Sequence, residues 1–116
     1  MRREGQGSIV LTGDWSTRRP YRNYLAYTVS KGGLETATRA LARELAPEVR
    51  VNMIALGPIL LPEGSGPELA ERVSRVVPLG RVGSPREYAA AVLHLLSAAT
   101  YSTGSIVTVD GGRGLA

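Results

Sequence analysis

Three short apolar runs, at residues 8–12, 51–56 and 105–109, alternate with stretches whose apolar residues recur at helical spacing, and no other feature constrains the fold as much. A nearly continuous apolar run of this length suits a strand buried on both faces of a parallel sheet. The spacing predicts a long helix over about residues 24–45. Leu25, Val29, Leu34, Leu41 and Leu45 supply much of its apolar surface, and Pro47 marks its end. Residues 67–76 read as a short amphipathic helix with Pro67 in a tolerated first-turn position. Ser84-Pro85-Arg86-Glu87 is a capping-box pattern that opens a helix to about Ser97. Residues 14–23, holding Pro20, and the Pro/Gly stretch 61–66 are loops, and Asp110-Gly111-Gly112 stops the last strand. The fold class expected is α/β, an open parallel sheet with about three strands and three helices present. Ligands in such sheets sit beyond the carboxyl ends of the strands, where Asp14 and the Gly57 loop emerge.

Within the long helix, Tyr27 and Lys31 stand four residues apart, and Lys31 is the only lysine; the thirteen other basic residues are arginine. A compact ammonium on a flexible stem bonds hydroxyls in a way a planar guanidinium does not. Positions i and i+4 share a helix face, so phenol and ammonium would share a site. A cation beside a phenol lowers its pKa, which makes Tyr27 a candidate proton donor or acceptor. Taken alone, the pair reads better as an exposed couple on a solvated face.

Composition narrows the alternatives. A chain of 116 residues supports one core, and without cysteine it carries neither disulfides nor thiolate chemistry. The net charge is +4, but apart from the pairs Arg2-Arg3 and Arg18-Arg19 the arginines are dispersed, with no basic stripe interleaved with aromatics. No nucleic-acid partner is expected. No signal-like run or long apolar stretch is present, so no membrane span is expected and the cytoplasm is the default location. One histidine and no cysteine leave no transition-metal cluster, and no metal site is expected. His94, on an apolar helix, reads as a partly buried packing residue.

Along nearly the whole chain the motifs resemble the short-chain dehydrogenase/reductase family. Gly7-Ser8-Ile9-Val10-Leu11 looks like the strand leading to that family's active-site loop, and Tyr27-Thr28-Val29-Ser30-Lys31-Gly32-Gly33-Leu34 matches its Tyr-x-x-x-Lys helix. Arg50-Val51-Asn52-Met53-Ile54-Ala55 with Gly57 and Ile59 matches its next strand and cofactor-side loop. Pro78-Leu79-Gly80-Arg81 with Gly83, Pro85 and Glu87 matches the lead-in to its last large helix, and Thr103-Gly104 with Val109-Asp110-Gly111-Gly112 its terminal strand and turn. The resemblance implies the C-terminal, catalytic half of a doubly wound Rossmann fold over residues 1–116. The family's Gly-rich Thr-Gly-x-x-x-Gly-x-Gly turn, which seats a pyrophosphate on a helix N-terminus, has no counterpart here. The expectation is therefore that the native chain is longer or the reading frame truncated, and that these residues alone are inactive.

Most family members place a catalytic serine thirteen residues before the tyrosine; here that position is Asp14, and Thr12 and Ser16, the nearest hydroxyls, are two residues out of register. An Asp14-Tyr27-Lys31 set is similar to that of pteridine and dihydromonapterin reductases, which reduce ring C=N bonds. Leu61, at a place where many members have threonine, and the closing Asp110-Gly111-Gly112-Arg113 lean the same way. The other reading of Asp14 is a loop or helix-cap aspartate. The resemblance implies NADP as cofactor, with NAD open, held by Tyr27, Lys31 and the backbone around Gly57, Pro58, Ile59 and Leu60. Leu56 departs from the family's usual proline before Gly57. Asp14, Trp15 and Tyr27 would meet the small-molecule substrate, with Tyr24 a further candidate wall, and residues 62–76 would form its mobile cover. Reducing an imine needs hydride at carbon and a proton at nitrogen; Asp14 and Tyr27 would titrate as one coupled pair. A homo-oligomer, tetramer or dimer, is implied through the helix at residues 24–45 and the last helix. The alternatives are a carbonyl or alcohol reductase of the same family, or a non-catalytic half acting as an interaction module.

Overall fold

The computed structural model describes residue 1 and residues 4–116; the Arg2-Arg3 pair lies outside the described residues. Strand β1 (Gly7–Asp14) runs into a one-turn 3-10 helix (Trp15–Thr17), and a loop leads to helix α1 (Leu25–Leu45). Strand β2 (Val49–Leu56), helix α2 (Pro67–Val76) and helix α3 (Pro85–Leu93) follow. A wider π-type turn (His94–Ala98) extends α3 before strand β3 (Ile106–Val109), and a final 3-10 turn (Arg113–Leu115) closes the chain. The strands form one parallel sheet in the order β1-β2-β3, which is the expected α/β class.

The central strand β2 carries the core. Val49, Val51, Met53, Ile54 and Ala55 are buried along it, and Ala42 of α1 packs there with Ile9, Leu11 and Leu45 around it. Helix α1 approaches the sheet through small residues. Thr38 and Ala42 are its buried positions, and the Thr38 hydroxyl bonds back to the Leu34 carbonyl at 2.7 Å. The expected apolar surface is thus only partly the packed one: Leu25, Val29 and Leu41 face outward. Gly13 of β1 is buried, and glycine is required there because a Cβ would collide with the Met53 side chain.

Strand β1 extends two residues past its expected end, to Asp14, because Asp14 still pairs in register with Leu56. It is half-buried rather than buried on both faces. Among the described residues only β2 flanks it in the sheet, and its hydrogen bonds to the α3 region are two side-chain contacts. These are Ser8 Oγ to the Leu95 carbonyl at 3.3 Å, and the Thr12 and Tyr88 hydroxyls at 2.6 Å. The capping box is formed as expected: the Ser84 side chain accepts from the Glu87 N–H, and Glu87 accepts from the Ser84 N–H at 2.9 Å. The helix does not stay regular to Ser97. Its carbonyls turn towards Arg50, whose guanidinium donates to Leu95, Ala99 and Ser102 at 2.9–3.3 Å and to Leu96 at 3.1 Å. Those carbonyls would otherwise be the unsatisfied end of a helix. His94, at the start of this turn, is exposed and not a packing residue, because the widened turn points it outward. Asn52 is fully buried and bonds Ser102 and Ser105. Arg50 and Asn52 of the Arg-Val-Asn motif therefore hold the approach to β3.

Candidate functional site

All three strands end at one edge. Asp14 pairs with Leu56, and Leu56 with Val109, so the three form a row from which the next residues enter loops. Asp14 is extended, the last residue of its strand, and its side chain caps the following turn. Its Oδ1 accepts from the Ser16 N–H at 2.7 Å and from the Ser16 hydroxyl at 2.5 Å, while Oδ2 accepts from the Tyr27 hydroxyl at 2.7 Å. The capping role and the contact with Tyr27 are both realised, on different oxygens.

Tyr27 is in the first turn of α1, reached after Asn23 adopts a left-handed conformation that aims the helix back over the strand end. Its pKa is pushed up from 10.0 to about 12, first by the hydrogen bond to Asp14, then by desolvation and the carboxylate's charge. This reverses the expectation of a phenol lowered by Lys31. The ammonium lies over the ring, 5.8 Å from its centroid, whereas the carboxylate meets the hydroxyl directly. Tyr27 is therefore held as a protonated donor. Among the described residues no hydrogen bond or salt bridge holds the Lys31 ammonium.

Trp15 is buried to 9 % exposure and begins an edge-to-face row, Trp15–Tyr21–Tyr24–Tyr27, with ring centroids 5.9–6.3 Å apart. A cleft of about 570 Å³ is lined by Asp14, Trp15, Ser16, Tyr21, Arg22, Tyr24 and Tyr27. It joins the expected substrate residues and adds Tyr21 and Arg22, which sequence reasoning missed. Arg113, from the closing turn, stacks its guanidinium 4.8 Å over Trp15. Asp110 holds that turn by accepting from the Gly112 and Gly114 N–H groups at 2.8 and 2.7 Å. Ser16 had a readable signal, since Asp-x-Ser is an Asx-turn spacing. The stacking of Arg113 on Trp15 had none, because it depends on the whole sheet.

The expected cofactor loop stands apart from this cleft. Gly57 donates to the Val109 carbonyl at 2.9 Å, and a Cβ on it would strike Asp110, so glycine is required by close backbone approach. Pro58 and Ile59 line a second cleft, of about 530 Å³, beneath Pro78 and Leu79, and Leu60 is exposed. A smaller cleft of about 210 Å³ lies between. It shares Trp15 with the first, and Thr108 and Asp110 with the second. Among the described residues the Ile59 and Leu60 N–H groups donate to no backbone acceptor. Free amides at one place and an unpartnered ammonium beside a phenol at the other fit the carboxamide and ribose of a nicotinamide nucleotide. Among the described residues no helix is long and apolar enough to cross a membrane.

Comparison with known proteins agrees with this geometry. A family model described as enoyl-(acyl carrier protein) reductase matches residues 1–113. The chain is 44% identical to carbonyl reductase family member 4 of Danio rerio, covering 91% of this chain and 44% of that protein. It is 45% identical to a galactitol 2-dehydrogenase (L-tagatose-forming) of Cereibacter sphaeroides, covering 93% and 46%. Among solved structures, FolM alternative dihydrofolate reductase 1 from Brucella suis, in complex with NADP, superposes with a TM-score of 0.87 at 36% identity, over 97% of this chain and 45% of that one. The chain thus spans under half the length of the relatives it matches. With the motifs, the parallel sheet and the family match in agreement, the chain belongs to the short-chain dehydrogenase/reductase family.

Proposed function

We propose that this chain provides the catalytic side of an NADP-dependent reductase acting on a pterin-type C=N bond. The observation that carries the reading is the 2.7 Å hydrogen bond from Tyr27 to Asp14 at the carboxyl end of β1. Lys31 and the Tyr27 hydroxyl would hold the ribose hydroxyls of the nicotinamide nucleotide, and the Ile59 and Leu60 amides its carboxamide. When bound, that group supplies hydride to the ring carbon. The chain's own residues manage the proton, which lies between Tyr27 Oη and Asp14 Oδ2 and passes from that pair to the substrate nitrogen. Solvent refills it through the open cleft. With its pKa pushed up to about 12, the phenol is protonated at neutral pH and is available as a proton donor. The aromatic row from Trp15 to Tyr27 offers faces to a flat heterocycle. The FolM neighbour, named a dihydrofolate reductase, supports a pterin substrate.

Reduction of a simple carbonyl is the second reading, favoured by the carbonyl reductase and galactitol dehydrogenase relatives. It needs a hydroxyl near Tyr27. Ser16 is buried and commits its hydroxyl to Asp14, and Thr12 commits its own to Tyr88. Asp14→Asn and Asp14→Ser, assayed by NADPH consumption in an active subunit containing this chain, separate the two. Asp14→Asn is expected to cut dihydropterin reduction by roughly 10²–10⁴-fold, the usual worth of a positioned acid–base group. Asp14→Ser is expected to lose pterin reduction while keeping or gaining activity on a diketone. A parent protein that ignores pterins and reduces ketones well, with Asp14→Asn unchanged, sinks the pterin assignment.

A further inference from the structure

Three clefts meet at Trp15, and each carries arginine. The largest, about 570 Å³, holds Arg22 beside the Asp14–Tyr27 pair. The next, about 340 Å³, is walled by Arg19 and Arg113, and the smallest, about 210 Å³, by Arg18. Among the described residues none of these four is paired with a carboxylate, whereas Arg39, Arg75 and Arg81 each face a glutamate. The acids on the same walls are Asp14 and Asp110, and both carboxylates already accept from groups of their own loops. A guanidinium stacked on an indole face, as Arg113 is on Trp15, still presents its in-plane donors to an incoming anion. In the largest cleft Trp15, Tyr21, Tyr24 and Tyr27 set aromatic rings beside Arg22.

We infer that these clefts take a flat aromatic ring bearing an anionic substituent, a carboxylate or a phosphate. The ring lies along Tyr24 and Tyr27, and the anion lies at the arginines around Trp15. The Asp14 carboxylate would repel an anion placed beside it, so the charge pattern orients the ligand with its neutral edge towards the proton-donating pair. The inference rests on reading the Asp14 cleft as the substrate site. It does not depend on the ring being a pterin.

Trp15 is the only tryptophan, so its fluorescence reports occupancy directly. The purified protein is titrated with p-nitrobenzoate, p-nitrophenyl phosphate and the neutral isostere p-nitrobenzamide, without turnover. At least one anionic probe is expected to quench saturably and to bind roughly tenfold or more tighter than the amide, the usual gain from a charge-assisted hydrogen bond. Whichever anion binds tighter identifies the substituent. That preference should collapse in Arg22→Gln and in Arg113→Gln, and persist in Arg86→Gln, which lies elsewhere on α3. Arg22 is an exposed loop residue, so its result stands even where Arg113→Gln disturbs the packing of Trp15. Equal affinities for all three probes overturn the inference, as does a charge preference that survives both variants. Three uniformly weak probes overturn it in the same way. Since turnover is not read, failure of the pterin assignment and failure of this inference are told apart.

Discussion

The Tyr27 hydroxyl donates to Asp14 Oδ2, and that contact makes a titration diagnostic. A phenol raised from 10.0 to about 12 contributes stability that is complete below pH 10 and is lost as pH climbs through about 12. Tyrosinate absorbance followed against pH should show one tyrosine ionising late. Asp14→Asn should return it to the ordinary range, and Tyr27→Phe should delete the late phase. A late phase that survives Asp14→Asn would mean that another partner holds the phenol. Asp14, Tyr27 and Lys31 were legible in the sequence because two local motifs fix their spacing. The direction of the Tyr27 shift was not, since i and i+4 proximity says that an ammonium is near but not whether it meets the hydroxyl or the ring. Here it meets the ring, and the carboxylate arrives from a different element.

Where local chemistry marks a boundary, the element stops or starts there, as α1 does at Leu45 just before Pro47. The capping box at Ser84 and the proline at Pro67 place the starts of α3 and α2 where the sequence puts them. The end of α3 is marked by Arg50, which lies in β2 and bonds the Leu95 and Leu96 carbonyls of the widened turn and those of Ala99 and Ser102 beyond it. No reading of the 85–98 segment by itself contains that information. The burial of α1 was misread for a related reason. A leucine-based stripe suits a helix that buries large side chains, but this helix sits close to the sheet on Thr38 and Ala42. Arg50→Met keeps the stem and removes the donors, leaving several carbonyls short of partners. It is expected to destabilise the fold by about 2–3 kcal/mol and to speed hydrogen exchange in residues 95–105 more than in α2. Unchanged denaturant midpoints would mean that water replaces the guanidinium.

For the molecule as a whole, the outward face of α1 stands out. Leu25 is 79 % and Val29 65 % exposed, while Tyr24 and Leu41 are also open to solvent. We propose that a second copy covers this helix and the last one. Leu25→Lys with Val29→Lys should then lower the sedimentation mass of the assembly while leaving the helical circular dichroism signal intact. An unchanged mass would place the contact elsewhere. The row of strand ends holding the site was readable from the alternation of strands and helices. The division of the expected cofactor and substrate residues between separate clefts was not, because it depends on where the Arg113 turn and the Pro78–Leu79 segment come to rest.

The sheet contains only parallel pairs, and its registers join Gly7 to Val49 and Met53 to Ile106. Among the described residues no strand has its partner nearby in sequence, so each pairing waits until a long intervening segment has closed on itself. Helix α1 can gain structure early, but the β1–β2 pairing waits until β2 has been made and docked. During that interval unpaired apolar strand surface is presented to any neighbouring chain. Productive folding is thus a first-order search competing with second-order encounter. Dilution and slow synthesis favour the former, even though neither changes the stability of the finished fold.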